Sequence, residues 1–529
     1  MPIRIAEPVK RLAVINVVGL TEALIGEHTP RLAAFRQRGK LAHIAPAFPA
    51  VTCTAQSNYL TGKTPAAHGI VGNGWFNREL SEVHFWKQSN HVVHGQKIWD
   101  ALRAESEIIN RQSSIANCFW WFNMYSSVDY AITPRPMYPA DGRKFFDIYS
   151  WPYSIREEIK KDLGEFPFFG FWGPAAGIDS PQGSADCVSR WIAKAAQWIE
   201  TKFSPTLNLI YLPHLDYNLQ RHGVYVGGTG VVPVALGVPP ETVVTATPAL
   251  DGNSNPRSSS ANEIRPDAEF NGHAARATNP KIHRDLRAID NIVGDLIDFY
   301  TARGVQIILL SEYGITNVDT PVHLNRIFRA QGWLTVKEEL GREILDAGAS
   351  QVFAVADHQV AHIYLNDPAL EKSVRALLEK TPGVEKVLGR AEKTIAGIEH
   401  SRAGDLIAVA AENAWFTYYY WLDDARAPDF ARCVDIHRKP GYDPVELFLD
   451  PKIKFPKLKI IRRLLQKKLG FRMLMDVIPL DATLVKGSHG RRPENKKDWP
   501  VFITDQAELL AENQIESTDV FEKLRAALT

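Results

Sequence analysis

Short apolar runs that end in polar residues recur along this chain of 529 residues, and amphipathic segments separate them. The runs LAVINVVG (12–19), LNLIYLPHLDY (207–217) and VQIILLSEYG (305–314) are typical of buried parallel strands. The segment 282–304 has apolar residues at helical spacing and stops at Gly304, which predicts an amphipathic helix. This alternation predicts an α/β fold with a mostly parallel sheet flanked by helices.

We interpret the chain as one domain over residues 1–529 that carries inserted segments. The residues of about 75–180 are rich in aromatics, Pro and Gly, and those of about 224–280 are rich in Gly, Pro, Val, Thr and Ser. Both segments are therefore predicted to be insertions. The residues of about 318–400 are predicted to form a cap region.

Composition and charge narrow the classes of function. Hydrophobic residues make up 45% of the chain and charged residues 23%, as in globular proteins. The net charge of +1 gives no global field for a nucleic acid polymer or an acidic membrane. The four cysteines lie far apart, and no apolar run reaches the roughly 18 residues of a membrane span. We expect a cytoplasmic protein without membrane or nucleic acid partners.

One local exception to the balanced charge is the basic run KIKFPKLKIIRRLLQKKLGFR (452–472). Such a run suits an anionic lipid or a nucleic acid. Its apolar positions also suit a solvated helix with one face buried against the protein, and we favour this second interpretation.

A short stretch between Pro46 and Asn73 has the strongest local signal for chemistry. Phe48 to Val51 lead into Thr52, and a run compatible with a helix follows and ends at Gly62. A hydroxyl at the start of a helix sits where N–H groups and the helix dipole stabilise negative charge, which suits a nucleophile. The alternative is that Thr52 only caps an ordinary helix.

Other polar residues follow the predicted strands. Asp216, Glu312 and Tyr313 come directly after two of them, where ligands bind in parallel sheets. Hydrolysis of phosphate esters needs a nucleophile and positive charge on the phosphoryl oxygens, and paired divalent metals supply both. Carboxylate and imidazole ligands suit zinc or manganese better than calcium.

A set of motifs in fixed order makes the chemistry more specific. The motifs are FP-x-x-T at 48–52, LTG at 60–62, P-x-x-HGI-x-x-N at 65–73, a strand ending in Asp216, SEYG at 311–314, GDL at 404–406 and GSHG at 487–490. In this order they resemble the alkaline phosphatase superfamily, and most closely its nucleotide pyrophosphatase/phosphodiesterase branch. The resemblance implies an alkaline-phosphatase-like fold and a hydrolase of phosphodiesters or pyrophosphates.

The resemblance also implies roles for individual residues. The family's threonine nucleophile maps onto Thr52, with Thr54 as the alternative, and its metal ligands map onto Asp216 and His489. The expected cofactor is a divalent metal, namely one or two zinc ions. The expected partner is a small anionic substrate.

Several family positions carry other residues here. The first metal-binding Asp falls at Val18, and the His that follows the Asp on the second strand falls at Gln220. The family's Asp-His pair reads Glu312-Tyr313, and the Asn after the nucleophile falls at Ala55. Replacement ligands are then expected from other histidines, so the predicted metal ligands are Asp216, Glu312, His489, His222, His358 and His362.

Three functions stay open from the sequence. The first is a metal-dependent hydrolase with Thr52 as nucleophile. The second is an enzyme of the same fold with diverged chemistry, and the third is a binding protein without catalysis. Asn73, Tyr313 and Trp75 are predicted to bind substrate, because the aromatic density near Trp75 suits a stacked flat or apolar group.

Overall fold

A nine-stranded sheet is the centre of the computed structural model, which describes residues 10–108, 113–140, 144–177, 187–226 and 277–529. The strands are β1 (Leu12–Val17), β2 (Lys40–Ala45), β3 (Gly74–Asn77), β4 (Glu82–Phe85), β5 (Ile115–Cys118), β6 (Tyr130–Pro134), β7 (Ile148–Trp151), β8 (Leu207–Leu212), β9 (Gln306–Leu310), β10 (Thr316–Asn317), β11 (Thr320–Val322), β12 (Val336–Glu339), β13 (Arg342–Leu345), β14 (Val352–Asp357), β15 (Val360–Leu365), β16 (Val384–Leu388), β17 (Leu406–Ala410), β18 (Ala414–Phe416), β19 (Gly487–Ser488), β20 (Val501–Thr504) and β21 (Gln514–Glu516).

The helices pack on the faces and ends of the sheets. They are α1 (Pro30–Arg38), α2 (Thr52–Thr61), α3 (Pro65–His68), α4 (Ile98–Ile108), α5 (Ile155–Leu163), α6 (Cys187–Phe203), α7 (His214–His222), α8 (His283–Thr301), α9 (Leu324–Ala330), α10 (Glu371–Glu379), α11 (Arg390–Ile395), α12 (Pro456–Lys468) and α13 (Val520–Leu528).

The central sheet has the order β21-β2-β20-β9-β1-β8-β5-β6-β7. The consecutive strands β9, β1, β8, β5 and β6 are parallel, and the antiparallel neighbours β20 and β7 flank them. β1 and β8 are buried along their whole length, as their unbroken apolar runs predict. The predicted α/β fold with a mostly parallel sheet is therefore confirmed.

A second, smaller sheet brings further residues to the same end of the molecule. Strands β14, β15, β17 and β16 form an antiparallel sheet with its own apolar core. The turn between β14 and β15 contacts the GSHG segment, where the Gln359 N–H donates to the His489 carbonyl at 2.9 Å. This contact puts Asp357 and His358 beside the carboxyl ends of the central strands.

Two of the predicted insertions can be compared with the structure. The stretch 75–180 was expected to lie outside the core, yet it supplies β5, β6 and β7 to the central sheet. These strands are only four or five residues long, so their apolar runs are too short to stand out among the aromatics around them. Most of the stretch 224–280 lies outside the described residues.

The basic segment forms the predicted helix α12, but the expected burial of one face is wrong. None of its residues from Pro456 to Lys468 is buried. On the side toward the protein, Ile460 packs half-buried against the core of the second sheet, and Lys459 and Arg463 pair with Asp476, so charged groups share the side on which apolar packing was expected. Within the described ranges, no helix is long and apolar enough to cross a bilayer.

Gly314 of the SEYG motif lies where its segment closely approaches the backbone of Asp498. A Cβ on Gly314 would overlap the Asp498 carbonyl oxygen, whereas a Cβ on Gly26 would meet no atom within 4 Å. We expect Gly314→Ala to lower the free energy of unfolding by about 1–3 kcal/mol. The matched change Gly26→Ala should leave it within about 0.5 kcal/mol. Denaturant unfolding measures both, and equal effects would contradict the close approach.

Candidate active site

Thr52 is the first residue of α2, in the position that the sequence predicts. Val51 before it is extended, and Gly62 after the helix adopts the left-handed conformation with φ of 64°. The Cys53 N–H donates to Asn73 Oδ1 at 3.1 Å. The first-turn N–H groups of Thr52 and Thr54 have no acceptor within the helix, so they can donate to a bound anion.

A chain of hydroxyl contacts connects Thr52 with a buried carboxyl group. The hydroxyl of Tyr313 donates to Asp216 Oδ1 at 3.3 Å, and Thr52 Oγ1 lies 3.4 Å from the same hydroxyl. With the Tyr313 proton on the Asp216 side, the Thr52 hydroxyl can donate to Tyr313. This direction is the one that removal of a proton from Thr52 requires.

Side-chain amides surround the two carboxyl groups that follow the central strands. The Asn16 amide donates to Glu312 Oε1 at 2.6 Å, and the Gln56 amide donates to the same oxygen. The Gln220 amide donates to Asp216 Oδ2 at 2.6 Å. Burial raises the pKa of Asp216 and of Glu312 to about 7, against the opposing effect of these hydrogen bonds.

A third carboxyl group, that of Asp357, has the same kind of partner. The backbone and side-chain N–H groups of Asn73 donate to its two oxygens at 2.7 and 3.0 Å. Burial raises the pKa of Asp357 to about 7 as well. The side-chain oxygen of Asn73 accepts from the Cys53 N–H, and its amide nitrogen donates to Asp357. Asn73 therefore positions these groups, and its contact with substrate stays a prediction.

Independent donors fix the orientation of three of these amides. The Trp121 N–H donates to the Gln56 side-chain oxygen at 2.6 Å, and the Tyr442 hydroxyl donates to that of Gln220 at 3.1 Å. The Cys53 N–H does the same for Asn73. Since each amide oxygen already accepts a hydrogen bond, each amide nitrogen has to face its carboxyl group.

Four aromatic rings stack beside the carboxyl groups. Tyr313 lies flat on His489, with centroids 3.6 Å apart and planes at 7°. His489 is 3.6 Å from His358, which stacks on Tyr442 at 3.7 Å. His489 Nδ1 donates to the Ala50 carbonyl at 2.7 Å, and burial lowers the pKa of His489 to about 3. Both histidines are therefore neutral at physiological pH.

These residues do not fit the metal site that the resemblance implies. A cation near Asp216 or Glu312 would have to displace oriented amides, and three family ligand positions carry Val18, Gln220 and Tyr313. Glu312 Oε2 is a buried oxygen without a hydrogen-bond partner in the described chain, but one oxygen is not a ligand set. In the part of the chain that the structure describes, no three His, Cys, Asp or Glu side chains are grouped to hold a metal.

Two of the predicted replacement ligands have other roles. His362 uses both ring nitrogens, with the Val71 carbonyl at 3.0 Å and the Gly404 N–H at 3.0 Å, so no lone pair remains for a metal. His222 follows Asp216 by six residues on α7, which puts the two side chains on different faces of the helix. We correct both assignments. Of the predicted ligands, His489 and His358 lie in the ring stack and Asp216 and Glu312 lie among the amides.

An aromatic pocket with a volume of about 70 Å³ lies beside Thr52. Its lining residues are Thr52, Trp86, Trp121, Phe171, Trp172, Tyr211, Pro213, Asp216, Tyr217, Tyr313, His358, Ile436 and Tyr442. No Lys or Arg is among these described lining residues. The predicted stacking residue Trp75 is not among them either, because it packs with its ring 4.9 Å from the Arg402 guanidinium carbon.

Several residues that build this site have no predicted role. The amides of Gln56 and Gln220 and the rings of Trp172 and Tyr442 come from four separate segments. These side chains contribute polar or aromatic groups to the site rather than apolar packing to the core. Gln56 is only 1% exposed in the stretch that follows Thr52, and the polar residues Ser57 and Asn58 beside it are equally buried.

Solved structures with an alkaline-phosphatase-like architecture resemble the chain over nearly its full length. Phosphonoacetate hydrolase from Sinorhizobium meliloti 1021, in complex with phosphonoformate, is 13% identical with a TM-score of 0.54, covering 98% of this chain and 96% of its own. Murine ectonucleotide pyrophosphatase / phosphodiesterase 5, an inactive threonine-to-alanine variant in complex with AMP, is 13% identical with a TM-score of 0.51, covering 98% and 95%. No curated protein matches the chain.

The family itself follows from the sequence match. The family model described as type I phosphodiesterase / nucleotide pyrophosphatase matches residues 12–443. The chain belongs to this family, and thus to a family of phosphoric-ester hydrolases. The resemblance that the motifs from Phe48 to Gly490 carry is confirmed.

The poor fit to metal leads to a prediction about metal content. We expect protein purified without chelator to hold far less than one equivalent of zinc. The triple change Val18→Asp, Gln220→His and Tyr313→His restores family ligands and should raise the zinc content. Elemental analysis after dialysis measures both proteins. A full equivalent in the wild type that Asp216→Asn removes would contradict the assignment of the carboxyl groups to amide partners.

Proposed function

We propose that the chain hydrolyses a phosphodiester with Thr52 as the nucleophile, and that Asp216 accepts the Thr52 proton through Tyr313. The observation that carries this proposal is the chain of contacts from Thr52 through Tyr313 to Asp216 at the floor of an aromatic pocket. No metal has a role in the proposed steps, since the donor set does not fit one.

The first step forms a phosphothreonine. Thr52 Oγ1 attacks phosphorus, its proton moves to the Tyr313 oxygen, and the Tyr313 proton moves to Asp216 Oδ1. The bond from phosphorus to the leaving oxygen breaks, and that oxygen keeps the electron pair and takes a proton from solvent, while Asp216 keeps the proton of Thr52. Water then attacks the phosphothreonine and gives one proton to solvent, and the bond from phosphorus to Thr52 Oγ1 breaks as Asp216 returns its proton to that oxygen through Tyr313.

The pocket favours a substrate with little negative charge and an apolar group. Because no cation is among the described lining residues, the first-turn N–H groups of α2 are the donors for the phosphoryl oxygens. A phosphodiester carries one negative charge, which is easier to bury than the two of a monoester. Trp86, Trp121 and Trp172 offer rings against which an aromatic or apolar alcohol can stack.

The comparisons support the nucleophile and the substrate class. The murine relative is described as inactive when a threonine is changed to alanine, and its structure contains AMP, a ligand with a flat base and a phosphate. The hydrolase from Sinorhizobium meliloti contains phosphonoformate, which is a small anion. The flat base and the phosphate of AMP suit aromatic walls beside an anion-binding helix start, whereas both ligands carry more negative charge than the phosphodiester that we propose for this chain.

A second candidate function is ligand binding without turnover. The lack of Lys and Arg among the described lining residues favours it, because developing negative charge then has only neutral donors. A protein of this kind would bind a phosphodiester by isothermal titration calorimetry. It would release no alcohol from the same compound during long incubation.

The proton route gives a kinetic test. We expect Tyr313→Phe, which keeps the ring on His489, to lower kcat on bis-p-nitrophenyl phosphate by about 10²-fold. Thr52→Ala should abolish turnover. In the wild type, kcat/KM should rise with pH until about 7, since Asp216 has to be ionised to accept the proton, and it should level off above. Tyr313→Phe should lose this dependence.

The control for these variants is Tyr364→Phe, because Tyr364 is not among the described residues that line the pocket and its hydroxyl donates to the Arg402 carbonyl at 2.7 Å. Its kcat should stay close to that of the wild type. Turnover that a chelator removes and zinc restores would overturn the proton route. Full activity of Thr52→Ala would overturn the nucleophile itself.

A further inference from the structure

Helix α12 turns most of its apolar side chains away from the protein, and only Ile460 packs half-buried against the core of the second sheet. On the inner side, Lys459 Nζ and Arg463 Nη2 each lie 2.9 Å from a carboxylate oxygen of Asp476. Leu458, Ile461 and Leu465 are spaced by three and four residues, so they form one row on the helix. At about 100° per residue, this row lies roughly opposite the two cations that hold the helix to the protein.

The exposed apolar surface extends beyond the helix at both ends. The large apolar side chains of the segment 455–474 that face solvent range from 40% exposed at Leu474 to 71% exposed at Phe455. The full set is Phe455, Leu458, Ile461, Leu464, Leu465, Leu469, Phe471 and Leu474. Scattered apolar residues are normal on a protein surface, but eight in one short segment form a patch that needs a partner.

The charge of the segment restricts the kind of partner. Between residues 451 and 475 there are nine Lys or Arg residues and no Asp or Glu. The segment therefore carries +9 in a chain of net charge +1, so the remainder carries −8. Lys457, Arg462 and Lys468 are exposed beside the apolar row. A partner has to accept apolar side chains and cations side by side.

We propose that α12 and its flanks, residues 452–474, bind the surface of an anionic phospholipid bilayer. A helix that lies in the interface places its apolar row among the acyl chains and its flanking cations among the headgroups. Nucleic acid complements the cations but not the leucines, and a purely apolar protein groove complements the leucines but not the cations. At about 20 Å, the helix is too short to cross the bilayer.

This inference is independent of the proposed function, since none of these residues lines the pocket above Thr52. It also changes the expectation, based on overall charge, that no membrane is among the partners. The net charge of +1 does not reveal this basic segment, because the negative charge of the remaining residues cancels its positive charge.

Flotation with vesicles tests the proposal. We expect the full chain to float with vesicles of phosphatidylcholine and phosphatidylglycerol in roughly a 7:3 ratio and not with phosphatidylcholine alone. The triple change Leu458→Gln, Ile461→Gln and Leu465→Gln should lower the bound-to-free ratio by about tenfold or more without a change in charge. The triple change Lys457→Gln, Arg462→Gln and Lys468→Gln should lower binding and weaken its dependence on salt.

The matched control replaces exposed apolar residues elsewhere on the surface. Leu340→Gln, Ile395→Gln and Leu422→Gln change residues that are at least 61% exposed, and this variant should float like the wild type. Equal loss in the control and the leucine variant would overturn the proposal, as would absence of flotation at low salt. A concentration-dependent dimer that the leucine variant abolishes, without vesicle binding, would assign the patch to a second copy of the chain instead.

Discussion

Three carboxyl groups are buried together at the carboxyl end of the central strands, and each needs a partner to offset the cost of losing water. In this chain the partners of Asp216, Glu312 and Asp357 are side-chain amides. The amides come from a strand, two helices and a loop, so burial of the carboxyl groups requires these elements to meet. The same contacts position the first turn of α2 and the turn between β14 and β15. The geometry around Thr52 therefore depends on this one arrangement.

Replacing a full cation with amides changes the chemistry that the site can perform. An amide supplies only a partial positive charge, so burial still raises the pKa of the carboxyl groups to about 7. A metal would hold them ionised at much lower pH. Tyr313, His489 and His358 are likewise held by neutral contacts, because their rings stack on one another. A site built in this way can move a proton near neutral pH, whereas it has no strong charge to bind a dianion.

Residue patterns predict the framework of the fold better than the details of the site. The strands β1, β8 and β9 are readable because each is an unbroken apolar run, whereas β5 is only four residues long. The position of Thr52 at a helix start follows from local sequence. The contact of Gln220 with Asp216 is also local, since the two are four residues apart on α7, whereas Gln56 and Asn16 are far from Glu312 in sequence and reach it only in the tertiary structure. The apolar row of α12 was visible in the sequence, but its direction depends on ion pairs with Asp476.

The central claim is that amides, and not a metal, are the partners of the buried carboxyl groups. Isotope-edited infrared spectroscopy of protein labelled at the aspartate carboxyl carbon tests it directly, with Asp216→Asn to assign the band. We predict that the Asp216 carboxyl is protonated at pH 5 and loses its proton at about pH 7. A carboxylate that stays ionised down to about pH 4 or below, as ligation of a metal or an exposed position would cause, would contradict the account.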